Sequence, residues 1–510
     1  MVTLRLFGKR IREFREWEST FLNTVGLALL GIGGMMMLPL AAALYYGDDI
    51  TPFAIPMAFS IFFSLPLLLM FRPGKNMRPV DGLLLMFAIW GIAMLVGAIP
   101  FIYCGMGPVD AVFESVSGFT TTGSTIITGT GDLSFETLSK SILLWRSLTQ
   151  WIGGIAIILV FMSIFPILGV GGRTMFRNEM SGSGSKGFTA RMRDAAKEFT
   201  VIYAILSFIF LVACILMGVD PFESVCLTFT TISTGGFLPY YGHIEYSVYV
   251  QMLIILFMFL GGTNFYLHYQ RLYRKKHAGY LKNSEFRSMF VFYSIAAITV
   301  FALTYGLITN EGVLEHAKNV VFTVVSMGTS TGLTVHDDVL WTVPAAVGFL
   351  FIVALIGGSS GSTAGGIKVG RIVTMMKSLM LDMKKRIYPR AVFRVKMGDE
   401  VLDEDTVSAS SVLIFLFIIT ILLGSLALMI LEPMGIEDSL MLSLTTTANC
   451  GFMPDMDIAS LSAGSKGVLS LLMWVGRLEV GTAILLFTPF FWKEIIKGKR
   501  KMRRIDHGSP

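Results

Sequence analysis

Four short stretches of this chain carry residue types suited to holding a bare monovalent cation. Thr120-Thr121-Thr122-Gly123, Ser233-Thr234-Gly235-Gly236, Thr329-Ser330-Thr331-Gly332 and Ala448-Asn449-Cys450-Gly451 each end a short semi-polar segment. At one constant spacing before each final glycine stands a residue able to cap a helix: Asp110, Glu223, Asn319 and Asp438. A dehydrated cation needs a ring of weak oxygen ligands, and backbone carbonyls supply them without a fixed charge that would trap the ion. Glycine permits the positive-φ backbone that turns successive carbonyls toward one axis. A helix leading into each turn would aim its partially negative C-terminus at the cation, with an acidic residue at its other end. One such segment alone reads as a packing patch or a loop. Four copies in equivalent places read as the walls of a filter. Its candidate ligands are Thr121, Thr122, Gly123, Ser233, Thr234, Gly235, Gly236, Ser330, Thr331, Gly332, Asn449, Cys450 and Gly451. The fourth wall, with Asn449-Cys450, offers fewer hydroxyls.

Two further features suit a gate. Gly357-Gly358-Ser359-Ser360-Gly361-Ser362-Thr363-Ala364-Gly365-Gly366 interrupts an otherwise apolar helix, and Lys368 follows. Each glycine in a helix costs about 1 kcal/mol relative to Ala, and broken backbone at membrane depth must line a pore or be covered by protein. The length of the run favours a flexible loop over a close helix crossing. It is not a phosphate loop, because Ile367 follows Gly366 where a Lys is required. Arg477 falls near the middle of the last apolar run. A charge there costs about 2.5–3.5 kcal/mol on the insertion scale, so it should face a cavity or a partner. Glu479 is two residues away, on another helix face, so it is a poor partner.

The elements that must position these residues are membrane helices. The 510-residue chain is 54% hydrophobic and only 15% charged, with mean hydropathy +0.68. Soluble domains carry about 25% charged residues. Ten apolar runs, near 21–46, 52–71, 82–104, 139–168, 197–218, 246–270, 286–309, 339–382, 407–430 and 465–492, are long enough to span, since about 20 residues cross the hydrocarbon. The short central segments are not, and read as re-entrant helices. Within 246–270, Gly261-Gly262-Thr263-Asn264 reads as a close packing site. The net charge of +6 sits in short loops near 1–16, 72–78, 173–197, 271–287, 377–396 and 493–504. Opposite loops carry Asp48, Asp49, Asp110, Glu114, Asp132, Glu223, Asp337, Asp338, Glu437 and Asp438. The positive-inside rule then puts both termini in the cytoplasm and all four glycine turns outside. Entry from one side makes the repeats parallel around an axis along the membrane normal, unlike the inverted repeats of many carriers.

The expected fold is an all-α polytopic membrane protein: two N-terminal helices plus four helix–pore-helix–helix repeats around a pseudo-four-fold pore. Residues 1–78 form an amphipathic N-terminus and the two extra helices, with a membrane-surface helix over 3–17. The repeats are 79–195, 196–285, 286–400 and 401–510, the last with a basic tail. The N-terminal apolar run exceeds the h-region of a signal peptide, about 7–15 residues, and reads as uncleaved. Cys104, Cys214, Cys226 and Cys450 form no CxxC and read as buried thiols. His268 and His277 carry no assigned role.

These motifs, with Ser117-Gly118-Phe119 before the first turn, Phe237 and Phe452 after the second and fourth, and Gly476-Arg477-Leu478-Glu479, resemble the ion-translocating subunit of the Trk/Ktr/HKT potassium transporter superfamily. The two extra N-terminal helices make the chain most similar to the TrkH-type subunit. The resemblance implies potassium selectivity through Gly123, Gly236, Gly332 and Gly451, with K+ as the bound and transported ion and no organic cofactor. Relatives with Ser at the first of these positions favour sodium. It also implies an intramembrane gating loop over 357–366, Arg477 in the pore, a homodimer, and a peripheral cytoplasmic nucleotide-binding ring (TrkA-type) docked on the basic loops. The basic loops otherwise read as positive-inside segments meeting anionic lipid. Nucleic acid is not an expected partner. A carrier coupled to H+ or Na+ on the same fold is the alternative. An intramembrane enzyme is disfavoured, since no nucleophile–base pair or HExxH set is present.

Overall fold

Inside lipid a backbone amide has no partner but its own chain, so this apolar sequence folds into helices. Prolines mark several starts, because the missing N–H costs nothing at a first helical position. Pro79–Tyr103, Pro108–Phe119, Pro221–Ile232 and Pro344–Ile356 all begin this way. The computed structural model describes residues 2–6, 9–14, 16–72, 74, 78–129, 133–163, 185–273, 279–307, 312–336, 338–391, 393–398, 400–452 and 456–495.

Seven described helices are long and apolar enough to cross a membrane: Trp17–Tyr46, Thr51–Met70, Val80–Tyr103, Lys140–Val160, Ala196–Leu216, Ser284–Leu307 and Glu404–Leu431. The inner helices of repeats 2 and 4 are bent pairs. Val248–Gly261 meets Phe265–Leu272 at 97°, and Ala463–Arg477 meets Val480–Phe487 at 118°. In repeat 3, Pro344–Ile356 gives way to a loop before Val369–Ile387. Among the described residues each of the ten expected runs contains helix, but three of them are broken.

The N-terminus departs from expectation. Val2–Leu6 and Lys9–Phe14 pair as an antiparallel hairpin instead of a surface helix over 3–17. Val2, Leu4 and Leu6 alternate with Thr3 and Arg5, a period of two that suits a strand. The first span follows directly, as Glu16–Met35 and Met37–Tyr46, and packs on Thr51–Met70.

Four short helices never cross: Pro108–Phe119, Pro221–Ile232, Val313–Gly328 and Ile436–Thr447. Each packs on the inner helix of its own repeat and on that of the preceding repeat. Lys140–Ser163 of repeat 1 touches the second short helix, and Val248–Gly261 the third. Pro344–Ile356 touches the fourth, and Ala463–Arg477 returns to the first. The contacts close a ring in the order 1-2-3-4, which is the geometry of four parallel repeats about one axis.

Their starts differ from the expected caps. Asp110, Glu223 and Asp438 lie inside the first turn, because Pro108, Pro221 and Ile436 begin the helices earlier. Asn319 falls in the middle of the longer third helix. In the second helix the cap is Asp220, whose carboxylate accepts from the Phe222 and Glu223 amides at 2.9 and 3.2 Å. An acid in the first turn still complements the helix dipole. Asp110, Glu114, Glu223, Glu437 and Asp438 thus belong to the short helices and not to loops.

Candidate functional site

The four short helices end alike. The amides of Thr122, Gly235, Thr331 and Cys450 each reach back five residues, to the carbonyls of Ser117, Thr230, Ser326 and Thr445, at 2.8–2.9 Å. This is the Schellman closure, which requires a left-handed residue just before the donor. That residue is Thr121, Thr234, Ser330 or Asn449, with φ of 53, 54, 55 and 52°. Two are β-branched, for which positive φ is strained. Gly123, Gly236, Gly332 and Gly451 follow two residues later, also at positive φ. Left-handed geometry therefore occurs twice per turn, and the sequence pattern of glycines revealed only the second.

The turns then interlock. A Cβ on Gly123 would run into the Gly235 carbonyl oxygen, on Gly236 into that of Thr331, on Gly332 into that of Cys450, and on Gly451 into that of Thr122. Each glycine is pressed against the carbonyl one residue before the next glycine, and the fourth step returns to the first. All thirteen predicted filter residues lie in these turns. Across the closure, Asn449 Nδ2 donates to the Thr122 hydroxyl at 3.0 Å and to the Met473 carbonyl at 2.8 Å. Ser124 Oγ donates to the Gly451 carbonyl at 3.1 Å.

Behind the ring lie charges. The Arg146 guanidinium pairs with Glu114 at 2.7 Å, both fully buried, and donates to the Leu238 carbonyl at 3.0 Å. It also stacks over the Phe237 ring, 4.1 Å from its centre. Glu114 accepts from the Thr125 hydroxyl and the Ile126 amide. Lys466 pairs with Asp110 at 2.6 Å, tying repeat 4 to repeat 1. The argument that singled out Arg477, an ionisable group on an apolar helix, applies equally to Arg146 and was the signal available for it.

At the base of the turns, residues 357–368 form a non-helical loop, as expected from the small-residue run. It meets three walls directly. The Thr363 hydroxyl donates to the Ile232 carbonyl at 3.2 Å and accepts from the Thr234 hydroxyl at 3.1 Å. The Gly365 amide donates to Ser330 Oγ at 2.5 Å, and Gly365 lies against the Ala448 carbonyl. Arg477 supplies the fourth link: Nη1 donates to the Thr363 carbonyl at 2.7 Å and Nη2 to the Gly153 carbonyl of repeat 1 at 3.2 Å. Lys368 Nζ donates to the carbonyls of Ala364 and Gly365.

Helix breaks hold the loop. Gly261-Gly262-Thr263-Asn264, expected as a packing site, is instead the bend of the second inner helix. Its freed Gly261 and Gly262 carbonyls accept from the Thr363 and Ser359 amides at 3.2 and 3.0 Å. Asn264 caps the second half through the Tyr266 amide. Glu285, buried, accepts from the Ser360 and Gly370 amides at 2.7 and 3.2 Å. Arg477 ends the first half of its helix and does not sit mid-helix, because Glu479 adopts φ 62°. Glu479 pairs with Arg371 at 2.7 Å, not with Arg477. Among the described residues, non-glycine positive φ is confined to the four filter turns, Lys368 and Glu479. A cavity of about 30 Å³ lies here, lined by Lys368, Arg371, Asn449, Arg477 and Glu479 among others.

The four cysteines are free thiols. His268, given no role from sequence, bonds to Tyr280 and the Leu260 carbonyl beside the bend. Much of the basic loop 173–197, part of 271–287 including His277, and most of the tail 493–504 lie outside the described residues.

A ring of short, buried helices packed among helices long and apolar enough to cross a membrane marks a polytopic membrane protein. A family model described as TrkH, cation transport protein, matches residues 103–494, and the chain belongs to that family, one of transporters and not of enzymes. It is 32% identical to the Trk system potassium uptake protein TrkH of Halomonas elongata, covering 93% of this chain and 99% of that protein. It is 31% identical to the Escherichia coli protein of the same description, covering 92% and 98%. The crystal structure of the potassium transporter TrkH from Vibrio parahaemolyticus superposes with a TM-score of 0.84 at 27% identity, covering 93% of this chain and 99% of that one.

Proposed function

We propose that this chain takes up potassium across the cell membrane through the ring formed by Gly123, Gly236, Gly332, Gly451 and their flanking carbonyls. The closed cycle of glycine-to-carbonyl contacts carries this reading, because it fixes four backbone walls at one level without placing an ionised side chain among the thirteen filter positions. The short helices aim their C-termini at the ring, which favours a cation there. The names of the relatives supply potassium as the ion. The loop over 357–366 and Arg477 act as the gate: the loop meets three walls, Arg477 links it to the inner helix of repeat 1, and a guanidinium beneath a cation pathway repels its cargo. Both termini lie in the cytoplasm, where the basic loops dock a TrkA-type nucleotide-binding ring, and the protein works as a homodimer in the lipid bilayer.

The test is radioactive rubidium uptake by the full chain in vesicles, with potassium and sodium as competitors. Gly123→Ser adds a side chain at φ 89° against the Gly235 carbonyl, and should lower the preference for K+ over Na+ about tenfold, equivalent to about 1.4 kcal/mol. An unchanged ratio would remove the filter assignment. Imposed pH and Na+ gradients in the same assay separate channel-like flow from coupled uptake: flux following only the K+ gradient excludes coupling.

A further inference from the structure

The four filter walls are not braced alike. In repeats 1 and 3 a hydroxyl pair does it, Thr120 with Thr122 and Thr329 with Thr331, each at 2.8 Å. Repeat 2 has Ser233 and Gly235 in those places, so the pair cannot form. The space is filled from the neighbouring repeat. A Cβ on Gly235 would meet only atoms of Gln150 at closest range. Gln150 is fully buried on the inner helix of repeat 1. Its Nε2 donates to the Gly235 carbonyl at 2.7 Å, and its Oε1 accepts from the Phe237 amide at 3.1 Å and from the Thr230 hydroxyl. A backbone carbonyl only accepts and a backbone amide only donates, so both main-chain contacts require this one orientation of the side-chain amide. One side chain therefore ties the last turn of the short helix, the filter carbonyl and the exit from the turn.

The inner helices of repeats 2 and 4 lack this clamp. Gly153, Gly261 and Gly476 each rest against the final carbonyl of their own short helix, which aligns the three helices. Three residues before them stand Gln150, Met258 and Met473, all buried. Of these three positions Gln150 alone is polar, and it clamps the wall containing two consecutive glycines, Gly235-Gly236.

We propose that Gln150 is a specificity-determining positioning residue of the filter, holding the Gly235 carbonyl at its place in the ring. The proposal rests on the filter reading above. Two adjacent glycines make this wall the most conformationally free of the four. A carbonyl free to swing inward can follow a smaller ion as readily as it ligates a larger one, so release of the clamp reduces discrimination more than throughput.

The variant Gln150→Met places in repeat 1 the residue that repeats 2 and 4 already carry. In the full chain in vesicles it should lower the K+ over Na+ uptake ratio about tenfold while K+ flux stays within about threefold. An unchanged ratio in Gln150→Met, with Gly123→Ser shifting it in the same assay, would overturn the proposal alone. If neither variant shifts the ratio, the filter reading itself falls. Should Gln150→Met fail to fold, Gln150→Asn takes its place. Its amide is one methylene short of the Gly235 carbonyl, so a lowered ratio supports the clamp and an unchanged ratio overturns it.

Discussion

The ring of glycine turns proposed as the filter and the loop level below it are built from the same four repeats, yet they obey different rules. At the filter, every wall makes the same Schellman closure and the same glycine-to-carbonyl step. Below it, no two repeats match. Inner helix 1 is continuous, inner helices 2 and 4 bend by 97 and 118°, and inner helix 3 opens into a loop. At the place where Gly154 and Gly262 let the next wall approach, repeat 4 carries Arg477. The difference is chemical. The upper level is built on a main-chain pattern that all four walls share, with side chains such as Gln150 bracing individual walls. The lower level is held by charges and freed carbonyls, each used once. Selection of an ion calls for equivalent walls, whereas a switch needs only one element that moves.

The largest effect should therefore come from the lower level. Arg371, just past the loop, and Glu479, at the last helix break, pair at 2.7 Å with 11% and 9% of their side chains exposed. Removing one partner of a buried pair costs about 3–5 kcal/mol, because the other charge is left alone, whereas replacing both is often nearly neutral. Arg371→Met or Glu479→Gln should lower the Tm of the purified protein by several degrees, and Arg371→Met/Glu479→Met should restore most of it. If the double variant is no better than the singles, the two breaks are not coupled through this pair.

Arg477→Ala comes next. It removes two bonds from repeat 4, one to the loop at the Thr363 carbonyl and one to the Gly153 carbonyl of repeat 1, each charge-assisted and worth about 1.5–3 kcal/mol. Leak of rubidium through the resting protein should rise about tenfold or more, since about 1.4 kcal/mol is one decade. A resting flux equal to that of the unmodified protein would assign Arg477 to structure and leave the loop held by other means.

The same contrast explains what was legible in the sequence. The four turns could be read because their rule repeats: glycine turns at related spacings reveal each other, and hydropathy places them. The left-handed residues before the glycines were hidden, since Thr121, Thr234, Ser330 and Asn449 share no propensity for that geometry and are forced into it by closure of the ring. The loop was visible as a run of small residues. Its attachments were not, because Glu285, Gly262 and Arg371 lie apart from the run and occur once each. The bends at Gly262 and Glu479 escaped for a related reason. Hydropathy runs unbroken through both, and only the tertiary demand for free carbonyls at one and for an Arg371 partner at the other breaks the helix. The N-terminal hairpin was hidden because its apolar and basic residues fit a surface helix as well as they fit a period of two.

The smallest effect should come from the filter's own side chains. The Thr329 hydroxyl donates to the Val325 carbonyl at 2.7 Å and pairs with Thr331. Thr329→Val keeps the shape and leaves the buried Thr331 hydroxyl without that partner, a cost of about 1 kcal/mol. The Thr331 amide still closes the turn on Ser326, and Gly236 still abuts the Thr331 carbonyl. Most of that cost falls on the fold and not on the choice of ion, so the K+ over Na+ ratio should change by less than about threefold, against about tenfold for each 1.4 kcal/mol of discrimination lost. A change in Thr329→Val as large as that in Gly123→Ser would mean that hydroxyls and not the main chain set this wall, and the division between a backbone-built filter and a side-chain-built gate would fail at repeat 3.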